Sequence, residues 1–263
     1  MDSGRTSAPA HIVLQINNTN TAPSVGNNTA LDFNGVDARV ETTTSLPLGN
    51  RSFTLEAWAS RPDPQSAGWI ISQGQAAQNE GLVFGWTTNK FDFGFWEDDL
   101  QMSTPFYRHQ LASLGGDVRR NQQDPENLPR WRFGRARRGH RHVAHVTRRT
   151  LHIGSQFGDA PFFHGGLKEI RVWDHVCTQE ELQQTMTTPL DGTQDGLMLY
   201  YRLNEGNGLT VKDSSANSSY PSVPGYLSGG VSWANSPTTF GVVTVPRNVG
   251  PGLHCQPDLS ARI

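Results

Sequence analysis

Leu151 to Leu182 reads LHIGSQFGDAPFFHGGLKEIRVWDHVCTQEEL, the most informative stretch of the chain. LHIGSQ (151–156) and GGLKEIRVWD (165–174) are runs of strand length rich in β-branched and aromatic residues, separated by Gly158, Asp159 and Pro161, which punctuate a turn. Directly behind them Thr178 can cap a helix, with Glu181 at the reciprocal position of a capping box. The reading is strand, turn, strand, then one short helix over 178–186.

Upstream, ALDFNGVDARVETTT (30–44) alternates apolar and polar residues around an Asn34-Gly35 turn signal. SFTLEAWAS (52–60) puts Phe53, Leu55, Ala57 and Ala59 on one face. GWIISQG (68–74), GLVFGWTT (81–88) and KFDFGFWEDD (90–99) follow at the spacing of a sandwich, with Thr88-Asn89-Lys90 as a hairpin tip. Downstream, LMLYYRLNEG (197–206) adds another strand, for at least eight in all. Phe53, Leu55, Trp58, Phe84, Ile153, Ile170, Val172 and Trp173 are expected in the core, with Trp58 and Trp173 as exceptions because they fall on alternate faces.

Composition agrees. Of 263 residues, 35% are hydrophobic and 17% charged, with 27 Gly and 16 Pro to make turns, a balance that suits an all-β chain better than a helical bundle. The apolar runs are far shorter than the roughly 20 residues of a bilayer span, and MDSGRTSAPA lacks the apolar region of a signal peptide. Neither a membrane span nor a signal peptide is expected. Cys177 and Cys255 cannot supply a disulfide framework or a four-ligand zinc site by themselves.

The net charge of −2 hides an uneven distribution: eleven of the nineteen Arg lie between Arg108 and Thr150, with three acids and no Lys. Such a segment could be a nucleic-acid footprint or a solvated loop. Arg without Lys, mixed with His, Gly, Pro and Gln and lacking any periodicity, instead suits a GC-rich gene read out of frame, so no nucleic-acid partner is expected.

In order, ALDFNGVDARVE, SFTLEAWAS, GLVFGW and the 151–182 stretch resemble the laminin G-like jelly roll of the concanavalin A-like lectin/glucanase superfamily. The most specific counterpart is Phe163 to Trp173, similar to the family's closing "F.G.IDEVRIWNRALS..EI". GLMLYYRLNEGNGLTVKDSSANS (196–218) is similar to a segment that often flanks such domains, and Trp233 falls where a further strand is usual. The resemblance implies an all-β, two-sheet antiparallel jelly-roll sandwich over 30–235, after an N-terminal extension and first strand (1–29) and before a tail (236–263). It implies a non-catalytic binding or adhesion module, for a carbohydrate or an extracellular protein, at an extracellular or cell-surface location.

The family usually carries a "WHHVAVTYDG" strand and a strand ending in "YVDG" where this chain has residues 109–150. If Leu111-Ala112-Ser113-Leu114 derives from TTG GCA TCA CTG, reading one base later gives TGG CAT CAC TGG, or WHHW. With permitted codons the same offset turns residues 111–135 into WHHWAGTYDATSKIRKIYRDGVSVA, restoring both motifs in register. On this reading 109–150 is out of frame, returns to frame before Leu151, and leaves a gap where two strands belong.

A retaining glucanase needs two carboxylates about 5 Å apart, typically on Glu-x-Asp-x-Glu. That motif is absent, so the enzyme, a glycoside hydrolase of the glucanase branch, is the alternative and a non-enzyme is expected. Glu97-Asp98-Asp99 is adjacent rather than alternating and does not replace the pair. Trp96 with Asp98 is the candidate ligand site, since an aromatic face stacks on a sugar ring and an acid accepts hydroxyl hydrogens. Asn34, Asp37 and Glu41 could offer oxygens to calcium. His140, His142, His145 and His152 look like a ligand cluster, but three of them fall in the out-of-frame stretch. His164 and His175 flank the closing strand and are expected at the surface. Serine hydrolase, P-loop and Cys-x-x-Cys motifs are absent. Asn17, Asn27, Asn50 and Asn217 head Asn-x-Ser/Thr triplets, weak support for secretion.

Overall fold

A computed structural model describes residues 11–15, 29–49, 52–63, 65–77, 80–88, 90–96, 98–102, 112–118, 150–185, 188–217 and 219–235. They form fifteen strands and one helix: β1 (His11–Gln15), β2 (Thr29–Asn34), β3 (Arg39–Thr42), β4 (Phe53–Ser60), β5 (Gly68–Gln73), β6 (Leu82–Thr87), β7 (Lys90–Phe95), β8 (Asp98–Met102), β9 (Ala112–Val118), β10 (Leu151–Ile153), β11 (His164–Trp173), α1 (Gln179–Thr185), β12 (Leu197–Tyr201), β13 (Thr210–Val211), β14 (Gly225–Ser228) and β15 (Val231–Asn235). The architecture is the all-β, two-sheet antiparallel sandwich read from the sequence. One sheet runs β1-β9-β4-β11-β2-β15, with β12 also on β11; the other runs β13-β14-β3-β10-β5-β6-β7-β8.

Alternation builds the core. Leu227, Val40, Ile153, Ile71, Phe84 and Phe93 stand opposite one another across successive strands of the eight-stranded sheet, and all face inward. Phe53, Leu55, Ala57 and Ala59 meet them from β4. Edge-to-face pairs such as Phe53–Phe93 and Phe84–Phe91 each add about 0.5–1.5 kcal/mol beyond their buried area. Thr87 opposite Lys90 confirms the hairpin tip, with Thr88 at φ 57°.

Trp58 and Trp173, expected as exceptions, are buried at 3% and 5% exposure. They do lie on the alternate faces, but that side of the seven-stranded sheet is covered. Trp173 joins Cys177, Leu182, Leu190, Leu197 and Tyr200 in a second core beneath α1 and the chain that follows it. The capping box that starts α1 is formed: the Thr178 N–H donates to Glu181 Oε2 (2.6 Å) and the Glu181 N–H to Thr178 Oγ1 (3.2 Å).

The Asn34-Gly35 turn joins different sheets, because β2 pairs with β11 and β15 whereas β3 pairs with β10 and β14. Gly229-Gly230 makes the same passage between β14 and β15, and the two crossings bond to each other through the Gly230 N–H and Asp37 Oδ1 (2.9 Å). KFDFGFWEDD is also two elements, β7 and the start of β8, with Phe95 opposite Asp98.

The expected gap in 109–150 is partly filled. Ala112–Val118 is strand β9, paired along its length with β4 and, through residues 113–117, with β1. Ladder hydrogen bonds come from the backbone, so the edge of β4 can recruit a strand whatever its side chains. Residues 119–149 lie outside the described residues, as does the tail 236–263.

Candidate functional site

The row next to the core row of the eight-stranded sheet points outward. Tyr226, Glu41, His152, Ser72 and Val83 are mutually opposite across β14, β3, β10, β5 and β6. One end of this row is open. Tyr226 is 46% exposed, and Glu41, ion-paired with Arg39 (2.5 Å), keeps its side chain 42% exposed. An aromatic ring, a carboxylate and a guanidinium on one strand surface can stack on a sugar ring and exchange hydrogen bonds with its hydroxyls.

Toward the middle, the chain after β10 folds over the sheet. Ser72 Oγ donates to the Ser155 carbonyl (2.7 Å) and accepts from the Phe157 N–H (2.8 Å). His152 is held from both sides: its Nε2 is 3.0 Å from Thr150 Oγ1, just before β10, and in the cover Gly158, at φ 96°, would place a Cβ 3.2 Å from the imidazole. Burial drives the His152 pKa below the usual imidazole range, against the opposing pull of Glu41. The ring is therefore neutral at pH 7.

Trp96 sits in the β7–β8 turn, half-buried, with its ring centroid 6.0 Å from that of Phe157. The Trp96 backbone N–H donates to the Gly81 carbonyl (2.8 Å). Asp98 begins β8 opposite Phe95; its side chain lies outside the described residues. Asn34 and Asp37 occupy the crossing loop, where Asn34 Oδ1 accepts from the N–H groups of Val36, Asp37 and Ala38 and Asn34 Nδ2 donates to Asp37 Oδ1 (2.8 Å). The Asn34 amide and the Gly230 N–H hold the Asp37 carboxyl below its ordinary pKa. Glu41 lies in β3 with Tyr226 and His152 as its row neighbours, and its ion-pair partner Arg39 also donates to the Asp37 carbonyl (3.2 Å).

Tyr226 is not among the candidates that the sequence offers, and Glu41 is among them only as an oxygen donor for calcium. The available signal was GYLSGGVSWAN (225–235), a strand, Gly-Gly turn and strand. His140, His142 and His145, with Cys255, lie outside the described residues. Among the described residues no helix is long and apolar enough to cross a membrane.

No family model and no curated protein matches the chain. Among solved structures, a "putative carbohydrate binding protein" from Bacteroides ovatus ATCC 8483 is similar, with a TM-score of 0.57 and 15% sequence identity over 83% of this chain. The chain spans 62% of the length of that protein, and at such identity the likeness is one of fold.

Proposed function

We propose that this chain is a non-catalytic carbohydrate-binding module of the laminin G-like class. The observation that carries the reading is the open row on the eight-stranded sheet, Tyr226 beside the Glu41–Arg39 pair. The fold likeness to a structure described as a putative carbohydrate binding protein supports it. Fold alone does not choose a ligand; the exposed aromatic and the charged pair favour a hydroxyl-rich one. Trp96, half-buried and with its ring centroid 6.0 Å from that of Phe157, is a second aromatic candidate of this reading.

The test is retention on a panel of immobilised polysaccharides. Tyr226→Ala should weaken binding about tenfold, roughly 1.4 kcal/mol, while moving unfolding stability by less than about 0.5 kcal/mol. Binding unchanged in Tyr226→Ala would remove the site. Hydrolysis of any β-glucan in the panel would favour the glucanase reading, against which stands the missing Glu-x-Asp-x-Glu strand.

Residues 111–135 are read as out of frame within the module. In β9, the positions opposite Leu55 and Ala57 of the core face are Gly116 and Leu114; the shifted frame leaves Gly116 and replaces Leu114 with Trp. Exchanging 111–135 for WHHWAGTYDATSKIRKIYRDGVSVA should raise the urea midpoint, since Trp at position 114 buries more apolar area than Leu. Equal urea midpoints for the two chains would show the present segment to be native to the fold.

A further inference from the structure

We infer that His175, Cys177 and Glu181 form a binding site for a zinc-like divalent cation, on the opposite sheet from the carbohydrate row. One donor atom from each, an imidazole nitrogen, a thiol sulfur and a carboxylate oxygen, lies within 4.8 Å of the other two. His175 Nε2 is 3.8 Å from Cys177 Sγ. Two ligands at about 2.0 and 2.3 Å from one tetrahedral zinc stand roughly 3.5 Å apart, so a small closure seats an ion between them. Nitrogen, thiolate and carboxylate together select zinc over calcium or magnesium, which take oxygen alone.

The surroundings position the donors. His175 Nδ1 faces Asp174 Oδ1 at 3.1 Å, leaving Nε2 as the nitrogen turned to the thiol, and Asp174 Oδ2 accepts from the Tyr220 hydroxyl (2.9 Å). A carboxylate behind the imidazole is the usual outer partner of a metal-bound histidine. Thr54, reaching across from β4, clamps the backbone on both sides of Val176: its Oγ1 donates to the His175 carbonyl (2.8 Å) and accepts from the Cys177 N–H (2.9 Å). Gly196, at φ 76°, leaves room for the pair, since a Cβ there would meet Asp174 Oδ1 at 2.4 Å and His175 Nδ1 at 2.5 Å. Glu181 is exposed on the first turn of α1, and one of its oxygens serves the Thr178 cap while the second remains for a metal.

Binding forms a metal–sulfur bond and releases the Cys177 thiol proton to solvent, so affinity rises with pH. Three protein ligands leave the fourth tetrahedral position to water or an external donor.

The test uses the full chain, reduced and stripped with EDTA, titrated with Co²⁺ and then displaced with Zn²⁺. One equivalent of Co²⁺ should produce a thiolate charge-transfer band, present also in C255S and absent in C177S. H175Q, E181Q and D174N should each weaken binding by at least about tenfold. If C177S does not fold, E181Q, at an exposed position, decides on affinity alone. A wild-type chain without the band, a band that follows Cys255 instead, or an affinity unchanged in H175Q or E181Q overturns the site.

Discussion

On the seven-stranded sheet the outward side chains Glu56, Arg171, Trp173 and Tyr200 lie under α1 and the chain leading to β12; on the eight-stranded sheet Tyr226 and Glu41 face solvent. The sealed face holds a charged network. Arg171, 1% exposed, contacts Glu169 Oε2 (2.7 Å) and Glu56 Oε2 (3.7 Å), and donates to the carbonyls of Thr185 (2.9 Å), the last residue of α1, and Thr188 (3.0 Å) beyond it. The Trp173 indole N–H donates to Glu56 Oε1 (2.5 Å), the Tyr200 hydroxyl donates to Glu169 Oε2 (2.6 Å), and that hydroxyl accepts from the Leu190 N–H (3.0 Å). An outward strand face becomes a second core when its cover brings partners for the polar groups it traps. Among the described residues the open face has cover only at His152 and beyond, which leaves the polar groups of Tyr226, Glu41 and Arg39 in reach of a ligand.

The sharpest way to break this contrast is to remove the cation from the sealed face. Arg171→Ala leaves Glu56 and Glu169 buried together and should cost about 3–5 kcal/mol in urea unfolding; a loss below about 1 kcal/mol would show that water enters beneath α1. The helix that makes the cover depends on its cap, and Thr178→Ala should cost about 1 kcal/mol. If it costs nothing, the cover is held by Leu182 and the Arg171 contacts alone.

The smallest effect is on the other sheet, and it depends on pH. Burial lowers the folded-state pKa of His152, so below the unfolded value of about 6.5 the unfolded chain binds a proton that the folded one refuses. Stability above that pH is therefore lost as the pH falls through it toward the folded value. His152→Gln should flatten this part of the profile, read from urea midpoints at about pH 7.5 and about pH 5. An unchanged slope would mean that the chain after β10 opens readily and leaves His152 in water.

Local pattern was enough for much of the fold. Alternation around Phe53, Phe84, Ile153 and Ile170 marked the inner faces, and Thr178 with Glu181 marked the helix start, because period and cap are set by neighbours in the chain. The same alternation could not say what would cover Trp58 and Trp173. In β11 the pattern itself is interrupted: Leu167 and Ile170 both face the core although three positions apart, because the ladder with β4 shifts between Lys168 and Arg171, with Glu169 at φ 48°. Two successive polar residues, Lys168 and Glu169, were the trace of that bulge in the sequence.

The strand-rich class, the strand periodicity, the hairpin tip at Thr88-Asn89-Lys90 and the capped helix after Thr178 could all be read from the chain, because each is a consequence of contacts within a few residues. That Asn34-Gly35 crosses between sheets, that Glu41 stands beside Tyr226 and His152, and that His175, Cys177 and Glu181 come together behind Thr54 follows from long-range packing. These depend on which strand edges pair and on what covers their outer faces, and residues far apart in the chain settle both.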